Sequence, residues 1–122
     1  AGFPTETEEM FTRSLDLVDD CGLTQLHVFP FSPRPGTPAA RMPQVAREVA
    51  KERARRLRAR GTEALRRLLD KEIGARRSLL TETPDLGRTE HFLPVRLARP
   101  AEPGTILDLT IAEHDGTRLT AA

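Results

Sequence analysis

Near the amino terminus Phe11, Leu15 and Val18, with Ser14 beside them, recur at helical spacing and share one face of a predicted helix. Thr5-Glu6-Thr7-Glu8 ahead of them reads as a capping box, with the Thr5 hydroxyl accepting from the Glu8 amide and Glu8 reaching back. Glu6, Glu8 and Glu9 fall where the helix dipole favours acids, and Gly22 is a predicted left-handed stop after Cys21. Leu26 to Phe31 then reads as a short strand. Strand end, helix and strand make one unit of a parallel α/β arrangement.

The next stretch, Ser32-Pro-Arg-Pro-Gly-Thr-Pro38, is too rich in Pro and Gly for a regular element, so a stiff loop is expected. Pro43 is suited to the first turn of a helix. From Gln44 to about Lys71 an apolar stripe runs through Val45, Val49, Ala50, Ala54, Leu57, Gly61, Ala64, Leu65 and Leu68. Gly61 inside it predicts either a break or a close helix contact. After Gly74 the pattern turns to β: Arg76–Glu82, His91–Leu97, Thr105–Glu113 and Thr117–Ala122 are short β-type runs separated by turn residues. Ile106, Leu107, Leu109 and Ile111 break strict alternation, which predicts a buried or bulged strand. Short strands over so few residues suggest a small closed antiparallel barrel. The expected class is α+β, with residues 1–43 a β-α-β unit, 44–73 a basic connecting helix, and 74–122 a small antiparallel β-barrel.

Composition sharpens this picture at two points. Of 122 residues 38% are hydrophobic and none is Trp or Tyr, so any core is built from Leu, Val, Ile and Ala. The net charge of +1 hides a segregation. Residues 1–33 carry six acids against Arg13, a balance of −5, whereas residues 44–71 carry ten bases against four acids, a balance of +6. Such a basic helix suits nucleic acid, or is simply a solvated face rich in Arg. Arg47, Lys51, Arg55, Arg58 and Arg66 lie off its apolar stripe and would extend a phosphate-contacting surface, while Glu48 and Glu52 compensate part of the charge locally.

Cys21 stands alone, which excludes a disulfide framework and a multi-cysteine metal site within the chain. His27, His91 and His114 lack ligand spacing, so no metal site is expected. No run reaches the ~20 apolar residues of a membrane span and no signal peptide is visible, which points to the cytoplasm. The opening Ala-Gly-Phe-Pro, without an initiator Met, reads as though cut from the end of a strand.

Three stretches, in order, resemble one family. Gly2-Phe3-Pro4-Thr5-Glu6-Thr7-Glu8 resembles the Gly-Phe-Pro-Gly-Glu-Thr-Glu signature of radical-SAM tRNA methylthiotransferases. His27-Val-Phe-Pro-Phe-Ser-Pro-Arg-Pro-Gly-Thr-Pro-Ala39 is similar to the loop after their last barrel strands, and Gly87-Arg-Thr-Glu-His-Phe-Leu-Pro-Val-Arg96 to the centre of their terminal TRAM domain. The branch most resembled modifies threonylcarbamoyladenosine beside the tRNA anticodon. The resemblance implies a parent transferase that uses S-adenosylmethionine and two iron–sulfur clusters to methylthiolate a tRNA base. It implies that this chain is a carboxy-terminal fragment, with residues 1–43 the remnant of a radical-SAM barrel and 74–122 an OB-like TRAM barrel, supplying tRNA binding and part of the S-adenosylmethionine pocket. The cluster cysteines are not in it, so the chain alone is expected to be inactive, with no catalytic residue and no bound cofactor of its own. Thr5 departs from the family's Gly and narrows the backbone conformations open there.

The resemblance also assigns candidate residues. Gly2, Glu6, Phe29 and Pro30 inherit the cofactor pocket, although Phe29 equally suits a barrel core and Glu6 a helix terminus. Arg34 could meet a phosphate or a carboxylate, or be a surface Arg beside a structural turn. Arg88, Thr89, His91, Phe92 and Arg96 are the RNA-binding candidates, mixing cations with a flat ring as RNA binders do. By alternation His91, Leu93 and Val95 share one face and Phe92, Pro94 and Arg96 the other, so Phe92 is either core or stacking platform. Two further readings stand beside tRNA binding: a protein-binding TRAM module of a ribosomal-protein methylthiotransferase, and a non-catalytic interaction domain. Exposed edges of an incomplete barrel predict a homodimer or strand exchange.

Overall fold

A computed structural model describes residues 1–122, which form two compact units, Ala1–Ala64 and Leu65–Ala122. Helix α1 spans Glu8–Asp20 and helix α2 spans Arg47–Glu72. Five strands follow: β1 (Arg76–Thr83), β2 (Leu86–Thr89), β3 (Pro94–Leu97), β4 (Ile106–His114) and β5 (Leu119–Ala121). Helix α2 contributes to the first unit up to Ala64 and to the second from Leu65.

In the first unit α1 buries Phe11, Leu15 and Val18 while Ser14 stays exposed. Its cap lies two residues later than the capping box predicts. Thr7, not Thr5, is the N-cap, its hydroxyl accepting from the Met10 amide at 3.2 Å. Thr5 sits instead at φ 70°, a left-handed conformation that a β-branched residue seldom occupies. At the other end Gly22, at φ 62°, lets the Leu23 amide donate to the Val18 carbonyl and closes the helix as expected. The predicted strand Leu26–Phe31 is not formed as a strand. The Ala1 amine donates to the Phe29 carbonyl, and the Phe31 amide donates to the Ala1 carbonyl. One residue bonding on both sides of Pro30 is the pattern of a parallel pair. Two such bonds make no strand, so of the expected β-α-β unit only the helix forms as a regular element.

The proline-rich loop contains a single 3-10 turn, Pro38–Arg41, capped by Thr37. In α2 the stripe of small residues packs inward, with Ala50, Ala54, Gly61 and Ala64 buried and Val49 turned out. Gly61 marks a close contact rather than a break. A Cβ there would stand 2.8 Å from the Leu26 side chain.

In the second unit the strands close in the order β1-β2-β3-β5-β4. All neighbours are antiparallel except β3 and β5, which run parallel from Val95↔Leu119 to Leu97↔Ala121. The expected small antiparallel barrel is thus formed, with one parallel pair among its five. Its core holds Leu79, Leu93, Val95, Leu97, Ile111, Leu119 and Ala121, and the last turns of α2 add Leu69, fully buried. The β4 irregularity is a bulge between Ile111 and Glu113, while Ile106 points outward and is 72% exposed. Strand β2 is not among the predicted runs. Gly87 lies within it because a Cβ there would meet the Leu80 carbonyl oxygen at 2.6 Å.

Candidate nucleic-acid interface

The turn from β2 to β3 is organised by Thr89, whose side chain is buried. Its Oγ1 accepts from the amides of His91 and Leu93, each at 3.2 Å, and its carbonyl accepts from the Phe92 amide at 2.9 Å. These bonds hold Phe92 at φ 63° and leave it 72% exposed. Both features carry a cost. The left-handed conformation costs about 1–2 kcal/mol for a residue with a Cβ, and an exposed ring forgoes burial. Gly would satisfy this turn without strain, and Asn with less of it.

Arg88 sits beside the turn on the outer face. Its Nε donates to Glu82 Oε1 at 2.8 Å and one terminal nitrogen reaches the Phe92 carbonyl oxygen at 3.4 Å. Arg96 is exposed on β3, opposite Leu86 on one side and Thr120 on the other. Leu93 and Val95 point into the barrel while Pro94 and Arg96 lie outward of them, following the predicted alternation. His91 does not follow it, because the residue belongs to the turn and is exposed. Thus Arg88, His91, Phe92 and Arg96 are all on the surface of β2, β3 and their turn, and Thr89 lies beneath them as the residue that shapes it.

Neighbouring ionisable groups are strongly ordered. Arg77 bonds Glu72 through two nitrogens, at 2.5 and 2.9 Å, and that guanidinium holds the Glu72 carboxyl below its ordinary range. His114 Nε2 lies 2.9 Å from Asp70, while its Nδ1 accepts from the Gly116 amide, which assigns the ring proton of the neutral form to Nε2. Over residues 65–122 nine bases face nine acids, so this unit has no net charge to draw in a polyanion.

The four cofactor candidates of the first unit do not all line one cleft. Glu6 is committed to the chain itself: its Oε1 accepts from the Gly2 amide and from Arg53, both at 2.9 Å, and its carbonyl accepts from Arg53 at 2.8 Å. Phe29 is 74% exposed. Gly2, at φ 81°, is pressed against α2, where an added Cβ would stand 2.4 Å from the Ala50 Cβ. Gly2 and Pro30 do line a common cleft of about 530 Å³, but Glu6 and Phe29 are not in its wall. These residues do not by themselves fit S-adenosylmethionine. No group of three or more His, Cys, Asp or Glu side chains could hold a metal ion. Arg34 is exposed, and its carbonyl accepts from the Thr37 hydroxyl at 2.8 Å.

The basic face of α2 is largely answered from within the chain. Arg53, buried beside the Phe11 ring, pairs with Glu6 and lies 3.4 Å from Glu8, and Arg56 pairs with Glu8 at 2.5 Å. The Arg56 hydrogen bond, aided by Arg53, lowers the Glu8 carboxyl from its ordinary value. Arg60 pairs with Asp19, Arg55 binds Glu52 through two nitrogens, and Arg58 donates to the Val28 carbonyl. The acidic α1 segment is thus the partner of much of the charge that the sequence offers to nucleic acid. Sequence reasoning passed over the convergence of Arg47 and Lys51 on the cleft; their four-residue separation at the start of the helix was the available signal.

No protein-family model matches the chain. Among curated proteins it is 47% identical over 106 residues to the threonylcarbamoyladenosine tRNA methylthiotransferase MtaB of Rickettsia prowazekii, a match covering 87% of this chain and 25% of that protein. It is 39% identical over 127 residues to a tRNA-2-methylthio-N(6)-dimethylallyladenosine synthase of a Jannaschia species, covering 98% of this chain and 28% of the relative. A synthase of the same name from Nocardia farcinica is 37% identical over 128 residues, with 92% and 25% covered. The chain spans about a quarter of the length of the relatives it matches.

Proposed function

The chain belongs to the tRNA methylthiotransferase family, as a carboxy-terminal portion of it, and on that premise we propose that its barrel is a tRNA-binding module. The observation that carries this reading is Phe92, an apolar ring held in a strained conformation and presented to solvent. Strain kept at an exposed aromatic residue makes sense where the ring has a partner to meet. Unpaired bases stack on such rings, each contact being worth about 1–3 kcal/mol. Barrels with this strand order bind oligonucleotides on the face of their second and third strands, where Arg88, Phe92 and Arg96 lie. In this reading Arg88 and Arg96 meet phosphates, His91 borders the stacked base, and Thr89 positions the turn. Arg34 remains a candidate for a separate phosphate contact.

The relatives' names describe enzymes that act on adenosine derivatives of tRNA. We therefore place this portion in a cytoplasmic transferase whose S-adenosylmethionine and iron–sulfur chemistry is supplied by residues outside it. With one cysteine the chain cannot itself hold a cysteine-ligated cluster, and alone it is catalytically silent.

The test is anisotropy with a labelled anticodon stem-loop. Wild type should bind, and Phe92→Asn should weaken binding by roughly 10- to 100-fold, the range of one stacking contact, while folding at least as stably. No binding at low salt, or equal binding by the variant, would overturn the reading. A protein-binding barrel is favoured by one feature, the adjacent outward side chains of Leu80 and Ile106 on β1 and β4. It predicts no stem-loop binding at any salt concentration.

A further inference from the structure

The cleft of the first unit has a lining of two chemical kinds. Pro30, Phe31 and Pro33, with Val45 and Ala50, are apolar, and Arg47 and Lys51, one turn apart at the start of α2, are cationic. Ser32 adds a hydroxyl. No carboxylate lines the cleft; Glu48, 3.3 Å from the Lys51 ammonium, is itself 82% exposed. Arg53, Arg55, Arg56 and Arg60 are each held by an acid and Arg58 by the Val28 carbonyl, whereas Arg47 has no acidic partner and opens onto the cavity.

A ligand that satisfies both kinds of lining is a planar apolar body carrying a phosphate. The volume of about 530 Å³ lies within the roughly 300–1,000 Å³ of small-ligand sites and admits one nucleotide. A sulfonium ligand is disfavoured, because its positive centre would share the cleft with Arg47 and Lys51 while no carboxylate lines it. We infer that this cleft holds one unpaired nucleotide of an RNA strand, its phosphate on Arg47 and Lys51 and its base along Phe31 and the flanking prolines. This rests on the RNA-binding reading but uses a different unit of the chain and none of the barrel residues.

The experiment titrates a labelled single-stranded oligoribonucleotide into the 122-residue chain and its Arg47→Gln/Lys51→Gln variant, with circular dichroism to check folding. The variant should bind roughly tenfold more weakly at about 50 mM salt. Its slope of log affinity against log salt should fall by about one for each side chain removed. Amide resonances of Gly2, Ser32 and Ala50 should shift in the wild type. Unchanged affinity and slope, or shifts that spare those three residues, would overturn the inference. A free nucleoside monophosphate binding as tightly as the strand would also overturn it, by assigning the cleft to a free nucleotide. Loss of binding in Phe92→Asn but not in the double variant removes the cleft and leaves the barrel reading standing. The converse supports the cleft and removes the barrel's role.

Discussion

Thr5 and Phe92 share an unusual property: both have a Cβ and both occupy the left-handed region. Their surroundings separate them. Thr5 is exposed at the entry to α1, in a position where the resembled signature has Gly. Nothing in the structure compensates its strain, so Thr5→Gly should stabilise the chain by about 0.5–1 kcal/mol, the relieved strain less the added backbone entropy of Gly. Urea unfolding of the two chains measures this; an equal or lower midpoint for the variant would contradict it. A third residue gives a pH prediction. Asp115 accepts from the Thr117 hydroxyl and amide and from the Arg118 amide, at 2.7, 2.8 and 2.8 Å, which lowers its pKa from 3.8 to about 2. Because folding favours the ionised form, the contribution is complete above about pH 4 and disappears as pH falls through about 2. The urea midpoint of Asp115→Ala should therefore decline less between pH 4 and 2 than that of wild type.

At the level of elements, Arg53 ties α2 to Glu6, just ahead of α1, and to Phe11 within it. Its side chain is 8% exposed, that of its partner Glu6 is 15% exposed, and the guanidinium lies beside the Phe11 ring. Removing one member of a buried pair leaves the other uncompensated, which costs about 3–5 kcal/mol. Glu6→Gln should fall at the low end, near 3 kcal/mol, because Glu8 also approaches Arg53. Adding Arg53→Met should recover part of the loss, and a double variant worse than the single would contradict the assignment. Both helices and most strands were legible in the sequence because their apolar spacing survives into the structure. Strand β2 was not, since Pro84-Asp85 and Gly87 carry the signature of a turn and the strand's glycine answers to a backbone clash visible only in three dimensions. The destination of the basic residues was equally hidden. Composition shows that acids and bases are segregated along the chain, but only the packing of α1 against α2 shows that they meet. Which candidate residues face solvent could be read in part: alternation placed Arg96 outside, and it could not place Phe92, which sits in a turn rather than a strand.

For the molecule as a whole, the two units have separate cores. Every buried member of the barrel core lies within residues 65–122, including Leu69 from the end of α2. The piece 65–122 should therefore unfold cooperatively on its own, with marginal stability as expected of a domain of about 60 residues. A non-cooperative melt would show that the barrel depends on the first unit. The balance of charge in that piece also shapes how it would meet RNA: nine bases against nine acids give little long-range attraction, so stacking and a few placed cations must supply the affinity. That claim comes down to one ring. With phenylalanine ring carbons labelled, an anticodon stem-loop titrated into the full chain should shift the Phe92 ring protons upfield, as a stacked base does, and leave those of the buried Phe11 unmoved. Phe92 signals that stay in place while the RNA saturates the protein would contradict the account.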